Sequence, residues 1–297
     1  MSREAHRKTP PTERTRKAWA QDFHRRAQAH WTAKRMQEVF GKKHLTLPPN
    51  ECGPLLRAMG LMKRDASMPP RSIHKYMQIC HMVALLEPLL RDLMRRHSVV
   101  RLVDLGCGSS YLTLLLGWCF KTRWHHPAEI LGVDRRRDVV EAGEQRLQMV
   151  QLGEMVRLIQ ARIDQLHLPE VWSRTFGTAS HNGEERDAFE IHGLFALHAC
   201  DTASCDALAA GVTLNAELIA VAPCCQAELA SAWAQLSESA EPQAVFAPIW
   251  RSPHLRREVG ATMTDALRTL LVRGCGYTVT PMEFVPSTHT PKNTLLR

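Results

Sequence analysis

The residues with the clearest chemical pattern lie in the segment Val103-Asp-Leu-Gly-Cys-Gly-Ser-Ser-Tyr111. An apolar run leads into Asp104, then into Gly106 and Gly108, and then into a predicted helix. Glycines at such a turn let the backbone bend tightly and approach a ligand closely. Tyr111 stands where a dinucleotide fingerprint carries its third glycine. This disfavours NAD or FAD and favours a ligand without a pyrophosphate.

Two further acidic residues follow the next two apolar runs of the chain. Asp134 ends the run 128–134 and can accept hydrogen bonds from both hydroxyls of a ribose. Asp164 follows the run 155–159, at a place where a side chain commonly meets an adenine amino group. Asp104 suits the α-amino group and sulfonium of S-adenosylmethionine, directly or through water, because both groups are cationic. Acids after three successive strands therefore predict this cofactor. The predicted cofactor residues are Asp104, Gly106, Gly108, Ser110, Tyr111, Asp134, Arg135, Asp164 and His198.

These residues also have purely structural interpretations. A lone G-x-G after a strand can be a tight turn, and Asp134 can cap the following helix. Asp164 can be an ordinary turn residue. The recurrence of an acid in the same strand–helix context favours the cofactor interpretation.

A second group of candidate residues occupies two later segments, Ala196-Leu-His-Ala-Cys-Asp-Thr-Ala203 and Ala222-Pro-Cys-Cys-Gln226. They follow the fourth and fifth predicted strands. Because neighbouring parallel strands end at the same edge of a sheet, we expect the two segments to converge where a methyl acceptor enters. The predicted catalytic residues are His198, Asp201, Cys200, Cys224 and Cys225.

Four roles remain open for this group. His198 or Asp201 can orient or deprotonate an acceptor hydroxyl or amine. A cysteine thiolate can add covalently to a base. The four His and Cys side chains can hold a metal, although the adjacent Cys224 and Cys225 suit one tetrahedral zinc poorly. Finally, the cysteines can be small buried hydrophobic residues, with His198 holding a backbone carbonyl. We favour the first role and predict no metal.

The elements that position these residues follow from hydrophobic periodicity. Short apolar runs alternate with amphipathic ones, which is typical of a parallel sheet covered on both faces. A helical stretch over 72–94 precedes them. Strands are predicted at 99–104, 128–134, 155–159, 191–197 and 217–222, helices at about 110–121, 137–151, 203–213, 225–238 and 261–273, and a terminal hairpin from 277–285 and 293–297.

With these motifs in place, the chain resembles the class I S-adenosylmethionine-dependent methyltransferases from about Ser72 to its end. The "LHAC" of 197–200 with the "PCC" of 223–225 is similar to a methyltransferase-domain family with many bacterial members. That family is distantly related to the tRNA acceptor-stem ribose 2′-O-methyltransferases and to the glutathione S-transferase C-terminal-domain-containing protein. The segments Ser72-x-x-Lys75-x-x-Gln78 and 287–293 resemble the same family.

The resemblance implies an α/β fold, a Rossmann-like seven-stranded class I methyltransferase sheet with helices on both faces. It also implies methyl transfer from S-adenosylmethionine. The chain departs from the tRNA branch, having Asp201 where that branch has glycine and Gln226 where it has histidine. It also lacks that branch's zinc-finger modules. The tRNA substrate is therefore not implied by the resemblance.

The positive charge is concentrated at the start of the chain. The protein has 297 residues and a formal net charge of +8. Residues 1–46 hold twelve Lys/Arg and four Asp/Glu, so the remainder is electrically balanced. We predict a basic, mostly helical N-terminal arm over 1–46, a linker over 47–71 and the methyltransferase domain over 72–297. This N-terminal helical extension is the source of the whole charge excess.

Residues 14–40 of the arm are predicted to form one helix. Trp19, Phe23, Ala27 and Trp31 recur every four residues and make a narrow apolar stripe. We expect this stripe to dock on the domain rather than stack on bases. The lysines and arginines beside it are candidate contacts for RNA phosphates.

The sequence therefore predicts an enzyme that methylates RNA (tRNA or rRNA). A small-molecule or protein acceptor is one alternative, and a non-catalytic module that binds cofactor and RNA is another. No apolar run approaches the roughly 18 residues of a membrane span, so no membrane association is predicted. Nine cysteines without a regular framework, and no visible secretory signal, favour the cytoplasm. The sequence predicts no oligomeric state.

Overall fold

A seven-stranded sheet in the order β3-β2-β1-β4-β5-β7-β6 forms the centre of the molecule. The computed structural model describes residues 12–42, 45–177, 189–197, 199, 202–223, 227–239, 245–283 and 294–297. The strands are β1 (Val100–Leu105), β2 (Ala128–Asp134), β3 (Val156–Gln160), β4 (Gly193–Ala196), β5 (Leu218–Val221), β6 (Pro281–Glu283) and β7 (Thr294–Leu296). The helices are α1 (Glu13–His30), α2 (Ala33–Phe40), α3 (Gly53–Ala58), α4 (Pro70–Arg96), α5 (Tyr111–Trp118), α6 (Arg137–Met149), α7 (Leu168–Phe176), α8 (Thr202–Thr213), α9 (Glu228–Ser239), α10 (Ala247–Arg251) and α11 (Pro253–Gly274).

The first five strands are parallel, and β7 inserts antiparallel between β5 and β6. All six residues of β1 are buried, as the continuous apolar run predicts for a central strand with both faces covered. Alternate side chains enter two cores: Leu102 lies in the first, and Val103 and Leu105 lie in the second. The predicted α/β architecture, strand bounds and terminal hairpin are confirmed to within a few residues.

The N-terminal helices pack against the first core. Phe23, Ala27 and Trp31 are all at least 97% buried, which confirms that the aromatic stripe docks on the domain. The prediction of a single helix over 14–40 is wrong, because the chain breaks between α1 and α2. The hydroxyl of Thr32 accepts a hydrogen bond from the Arg35 amide and so starts a new helix.

The segment 47–71, predicted as a linker, is packed rather than extended in solvent. Leu47 is fully buried, and its carbonyl accepts a 2.6 Å hydrogen bond from the Tyr76 hydroxyl. The Trp31 indole donates a 2.8 Å hydrogen bond to the Ala66 carbonyl. These bonds join α1, the segment and α4 within one core.

Several helical details differ from the prediction, and the short helices α3 and α10 were not predicted. Helix α11 begins at Pro253 rather than near 261, because Ser252 caps it by accepting from the Leu255 amide. Helix α5 continues into a π-helical turn, Cys119–Trp124. The pattern also missed α7, whose buried Trp172 anchors it to the second core. Among the described residues, no helix combines the length and apolar character that crossing a bilayer requires.

Candidate functional site

The glycine turn after β1 follows the backbone path that its sequence suggests. Gly106 and Gly108 have φ angles of 70° and 51°, in the left-handed region that glycine adopts freely. The amides of Gly106 and Cys107 both donate to the Val133 carbonyl, at 2.8 and 2.9 Å. The turn is thereby fastened to the end of β2.

Asp134 fastens the same turn through its side chain. Its carboxylate accepts 2.8 Å and 2.9 Å hydrogen bonds from the amides of Gly108 and Arg136. The second bond goes to the amide of Arg136, the N-cap residue of α6, and not to an amide inside the helix, so Asp134 does not cap α6. Asp134 also lines the adjacent cleft, and a carboxylate has acceptor sites left for ligand hydroxyls.

A cleft of about 430 Å³ opens at the carboxyl edge of the sheet. Small-molecule sites commonly enclose about 300–1,000 Å³, so the cleft has the size for a nucleoside cofactor. Its lining comes from the turn after β1, the loops after β2 and β3, and the start of α8. The lining residues are Gly106, Gly108, Asp134, Arg135, Arg136, Ala161, Arg162, Ile163, Asp164, Ala199, Thr202, Ala203 and Asp206.

The cleft walls approach each other closely at Gly106. A Cβ atom there would lie 3.6 Å from both Cα and Cβ of Ala199, on the segment that follows β4. A larger side chain would therefore close the gap between the two walls. This opening, together with the carboxylates of Asp134, Asp164 and Asp206, fits a ligand that combines a ribose with cationic groups.

Asp164 meets Arg162 across the loop after β3. The guanidinium donates from Nε and Nη2 to the two carboxylate oxygens, at 3.0 and 2.7 Å. These hydrogen bonds hold the pKa of Asp164 below its usual range. Asp164 is therefore ionised near neutrality and lines the cleft, but it shares its carboxylate with a neighbour that the sequence analysis missed. Its contact with the adenine amino group stays a prediction.

Asp104 lies behind the turn rather than in the cleft lining. Its side chain is buried and accepts a 2.6 Å hydrogen bond from the Thr113 hydroxyl. Burial raises the pKa of Asp104 to about 6, and the negative charge of Asp134 acts in the same direction. Its contact with the cationic groups of a cofactor stays a prediction.

Ser110 and Tyr111, both predicted to bind the cofactor, do not belong to the cleft lining. Ser110 is fully buried with a φ angle of 57°, and its hydroxyl lies 3.4 Å from the Gly108 carbonyl. Tyr111 donates a 3.2 Å hydrogen bond to the Met59 carbonyl and carries the Lys75 ammonium over its ring. Ser110 thus supports the turn, and Tyr111 links it to the segment 47–71 and to α4.

The predicted catalytic residues His198, Cys200, Asp201, Cys224 and Cys225 lie outside the described residues. Their neighbours show where the two segments start. Ala196 of β4 is paired with Val221 of β5 in parallel register, so both segments leave the same edge of the sheet. Ala199 and Thr202 line the cleft. The convergence of the two segments stays a prediction.

Four polar residues of the cleft were missed by the sequence analysis: Arg136, Arg162, Thr202 and Asp206. Thr202 and Asp206 stand four residues apart in α8, so they share one face of that helix. This spacing was visible in the sequence. Its orientation towards the cleft was not, because that depends on how α8 packs beside the loop after β3.

One cluster of potential metal ligands occurs among the described residues, at the opposite edge of the sheet. It comprises His97, His192 and Glu217. The Nδ1 atom of His192 accepts a hydrogen bond from the Arg101 amide, so Nε2 carries the proton in the neutral ring. Glu217 contacts both His97 and the Arg96 guanidinium. These contacts explain the cluster as an ion-pair and hydrogen-bond group.

Comparison with known proteins gives one family and a set of structures. A family model described as a methyltransferase domain matches residues 74–232, more than half of the chain. A search of curated proteins found no match. Solved structures similar to this chain include the S-adenosylhomocysteine-bound methyltransferase PaMTH1 of Podospora anserina (14% identity, 89% of this chain and 92% of that chain, TM-score 0.43). Another is the plantazolicin methyltransferase BpumL with S-adenosylhomocysteine (11% identity, 95% and 96%, TM-score 0.41).

Proposed function

Because this chain belongs to the family described as a methyltransferase domain, we propose that it transfers the methyl group of S-adenosylmethionine to RNA. S-adenosylmethionine is the methyl donor. The observation that carries the RNA proposal is the basic outer face of α1 and α2, whose aromatic face is buried against the domain. The cations of this face remain in solvent, where a phosphate backbone can reach them.

The cofactor site is built from this chain's own acids. We assign Asp134 to the ribose hydroxyls, Asp164 to the adenine amino group and Asp104 to the cationic amino-acid end. Bound S-adenosylmethionine supplies an activated methyl group, so holding the acceptor in line provides much of the rate. We assign that positioning, and removal of the acceptor proton, to His198 or Asp201.

The basic face retains charge after its internal ion pairs are counted. The guanidinium groups of Arg25 and Arg26 share the single carboxylate of Asp22, at 3.6 and 2.6 Å. The side chain of Arg25 is 78% exposed, and that of Arg26 is 57% exposed. This arrangement supports an anionic acceptor. The other exposed cations of α1 and α2 are Arg14, Lys17, Lys34 and Arg35, whereas half-buried Arg16 donates a 3.2 Å hydrogen bond to Gln148 of α6.

We also propose a cytoplasmic location. The six cysteines among the described residues are free thiols, as is usual in a reducing compartment. Four of them, Cys52, Cys80, Cys107 and Cys119, are buried. Burial raises the pKa of each of these thiols, which keeps them protonated and unreactive near neutrality.

The test incubates the protein and labelled S-adenosylmethionine with RNA, protein and metabolite fractions from a strain lacking the gene. We expect label in RNA, with nucleoside mass spectrometry identifying the methylated atom. A double variant, Arg25→Gln with Arg26→Gln, should weaken RNA binding and flatten its salt dependence. The matched control is Arg95→Gln with Arg174→Gln, two exposed arginines with similar helical ion pairs, to Asp92 and Glu170.

Label confined to metabolites or to protein overturns the RNA proposal and favours the corresponding acceptor class. Cofactor and RNA binding without label in any fraction would support the non-catalytic alternative. Equal loss of RNA affinity in the test and control variants would show that α1 is not the contact.

A further inference from the structure

The direction of α4 brings its first turns to the edge of the sheet that holds the cofactor cleft. The helix ends at Arg96, just before β1 starts at Val100, so it runs back along β1. Its 27 residues span about 40 Å, whereas the six residues of β1 span about 20 Å. The start of α4 therefore reaches the level of the glycine turn.

Lys75 lies in the second turn of α4, and its ammonium is held at the level of the glycine turn. The Nζ atom is 3.9 Å from the ring centroid of Tyr111, a cation–π distance. Tyr111 is the first residue of α5 and follows the glycine turn directly. Its hydroxyl is fastened to the Met59 carbonyl, which fixes the ring. Lys75 itself is exposed, so its ammonium has open directions for an anion.

A cation on this side of the turn would complement one group of the cofactor. S-adenosylmethionine carries an α-carboxylate as well as its two cationic groups. With the ribose at Asp134, after β2, and the adenine beside the loop after β3, the amino-acid end points towards β1. The cleft arginines Arg135, Arg136 and Arg162 follow β2 and β3, so they lie at the nucleoside end. They are not placed to meet the carboxylate.

We propose that Lys75 binds the α-carboxylate of S-adenosylmethionine, with Tyr111 as the positioning residue that holds the ammonium beside the glycine turn. The proposal rests on the cofactor assigned under the proposed function. It makes the segment before the sheet a part of the cofactor site. A second cation near the turn, Arg146, already donates a 3.2 Å hydrogen bond to the Ser109 carbonyl and serves as the control.

The test compares two ligands that differ by one group, S-adenosylhomocysteine and its decarboxylated form, by calorimetry at neutral pH. For Lys75→Gln we expect affinity for S-adenosylhomocysteine to fall by about tenfold or more, the usual cost of losing a charge-assisted hydrogen bond. Affinity for the decarboxylated ligand should change less than twofold. Lys75→Arg should keep most of the preference for the carboxylate.

The control Arg146→Gln should lower both affinities equally or neither. The inference is overturned if Lys75→Gln leaves the carboxylate preference intact, if it weakens both ligands equally, or if Arg146→Gln reproduces the selective loss. Thermal unfolding of each variant checks folding, and exposed Lys75 tolerates replacement. Failure of the unmodified protein to bind S-adenosylhomocysteine would instead contradict the proposed function.

Discussion

The carboxylate of Asp134 joins the second strand to the glycine turn by accepting a 2.8 Å hydrogen bond from the Gly108 amide. The other oxygen accepts a 2.9 Å hydrogen bond from the amide of Arg136, the residue that precedes α6. One side chain thus shapes the cleft before any ligand arrives. Substitution of Asp134 can separate its contribution to stability from its contribution to cofactor affinity.

Replacement Asp134→Ala should lower both stability and cofactor affinity. The Gly108 and Arg136 amides lose their acceptor, which costs about 1–3 kcal/mol in the free energy of unfolding. The turn then loses its shape, and S-adenosylmethionine affinity should fall by roughly a hundredfold, about 2.7 kcal/mol. Urea unfolding and calorimetry measure the two effects.

The control for this substitution is Asp138→Ala, four residues further on in α6. The Asp138 side chain is 81% exposed and lies only at the edge of an ion pair with Arg136. We expect little change in stability or affinity. If Asp134→Ala binds the cofactor as well as Asp138→Ala does, Asp134 is a structural residue alone.

Asp104 predicts a pH dependence with a defined sign. Its pKa is about 6 in the folded protein, above the ordinary value of 3.8 for an aspartate, so the folded state holds the proton more tightly. The carboxyl group of Asp104 therefore favours folding below pH 4, and this contribution is lost as pH rises through 6. The free energy of unfolding changes by about 3 kcal/mol over that range. Asp104→Asn should therefore be more stable than the parent at pH 8, yet bind the cationic cofactor more weakly.

Denaturant unfolding of both proteins from pH 4.5 to 8 measures this difference. All other titratable groups are the same in the two proteins. The gap between the two curves of unfolding free energy against pH therefore measures the titration of Asp104. The gap should widen as pH rises towards 7 and then level off. If the difference in the free energy of unfolding is the same at every pH, burial does not raise the pKa of Asp104.

The backbone conformation of Ser110 predicts an order of stability between two substitutions. Its φ angle of 57° lies in the left-handed region, which costs a side chain about 1 kcal/mol relative to glycine. Among the described residues its hydroxyl makes two long contacts, 3.4 Å to the Gly108 carbonyl and 3.7 Å to the Cys107 sulfur. We expect Ser110→Gly to be about 1 kcal/mol more stable than Ser110→Ala, since both lose the hydroxyl and only glycine relieves the backbone. Melting temperatures without ligand decide the order, and a more stable alanine variant contradicts the strain.

Trp31 tests whether the N-terminal extension is part of the domain's own core. The ring is 2% exposed, stacks on Phe40 and donates to the Ala66 carbonyl. Trp31→Ala should cost about 3–5 kcal/mol in one cooperative unfolding transition. Trp31→Phe keeps most of the packing and should cost less. A separate early transition, with the cofactor domain unchanged, would show that the extension folds alone.

Much of the architecture could be predicted because it depends on local pattern. The run 128–134 was predicted as a strand and is β2 with the same bounds. Its buried side chains alternate between two cores, and its last residue reaches the cleft because it stands at the carboxyl end of a parallel strand. Apolar periodicity and strand order together determine such a position.

The break between α1 and α2 shows the limit of periodicity. The apolar stripe continues through Trp31, so spacing alone favours one helix over 14–40. Thr32 as a cap and the indole bond to Ala66 stabilise two helices instead. The second bond links residues 35 positions apart, which no local pattern contains.

The sequence by itself determined the strand–helix alternation, the glycine turn and the acids that follow three strands. Only the tertiary structure decided that Asp206 would face the same cleft as Asp164 and that Lys75 would lie over Tyr111. The physical reason is that backbone conformation follows neighbouring residues, whereas side-chain partners depend on how each helix rotates and packs. The rotation of each helix depends on the apolar surface that all the elements of the core bury together.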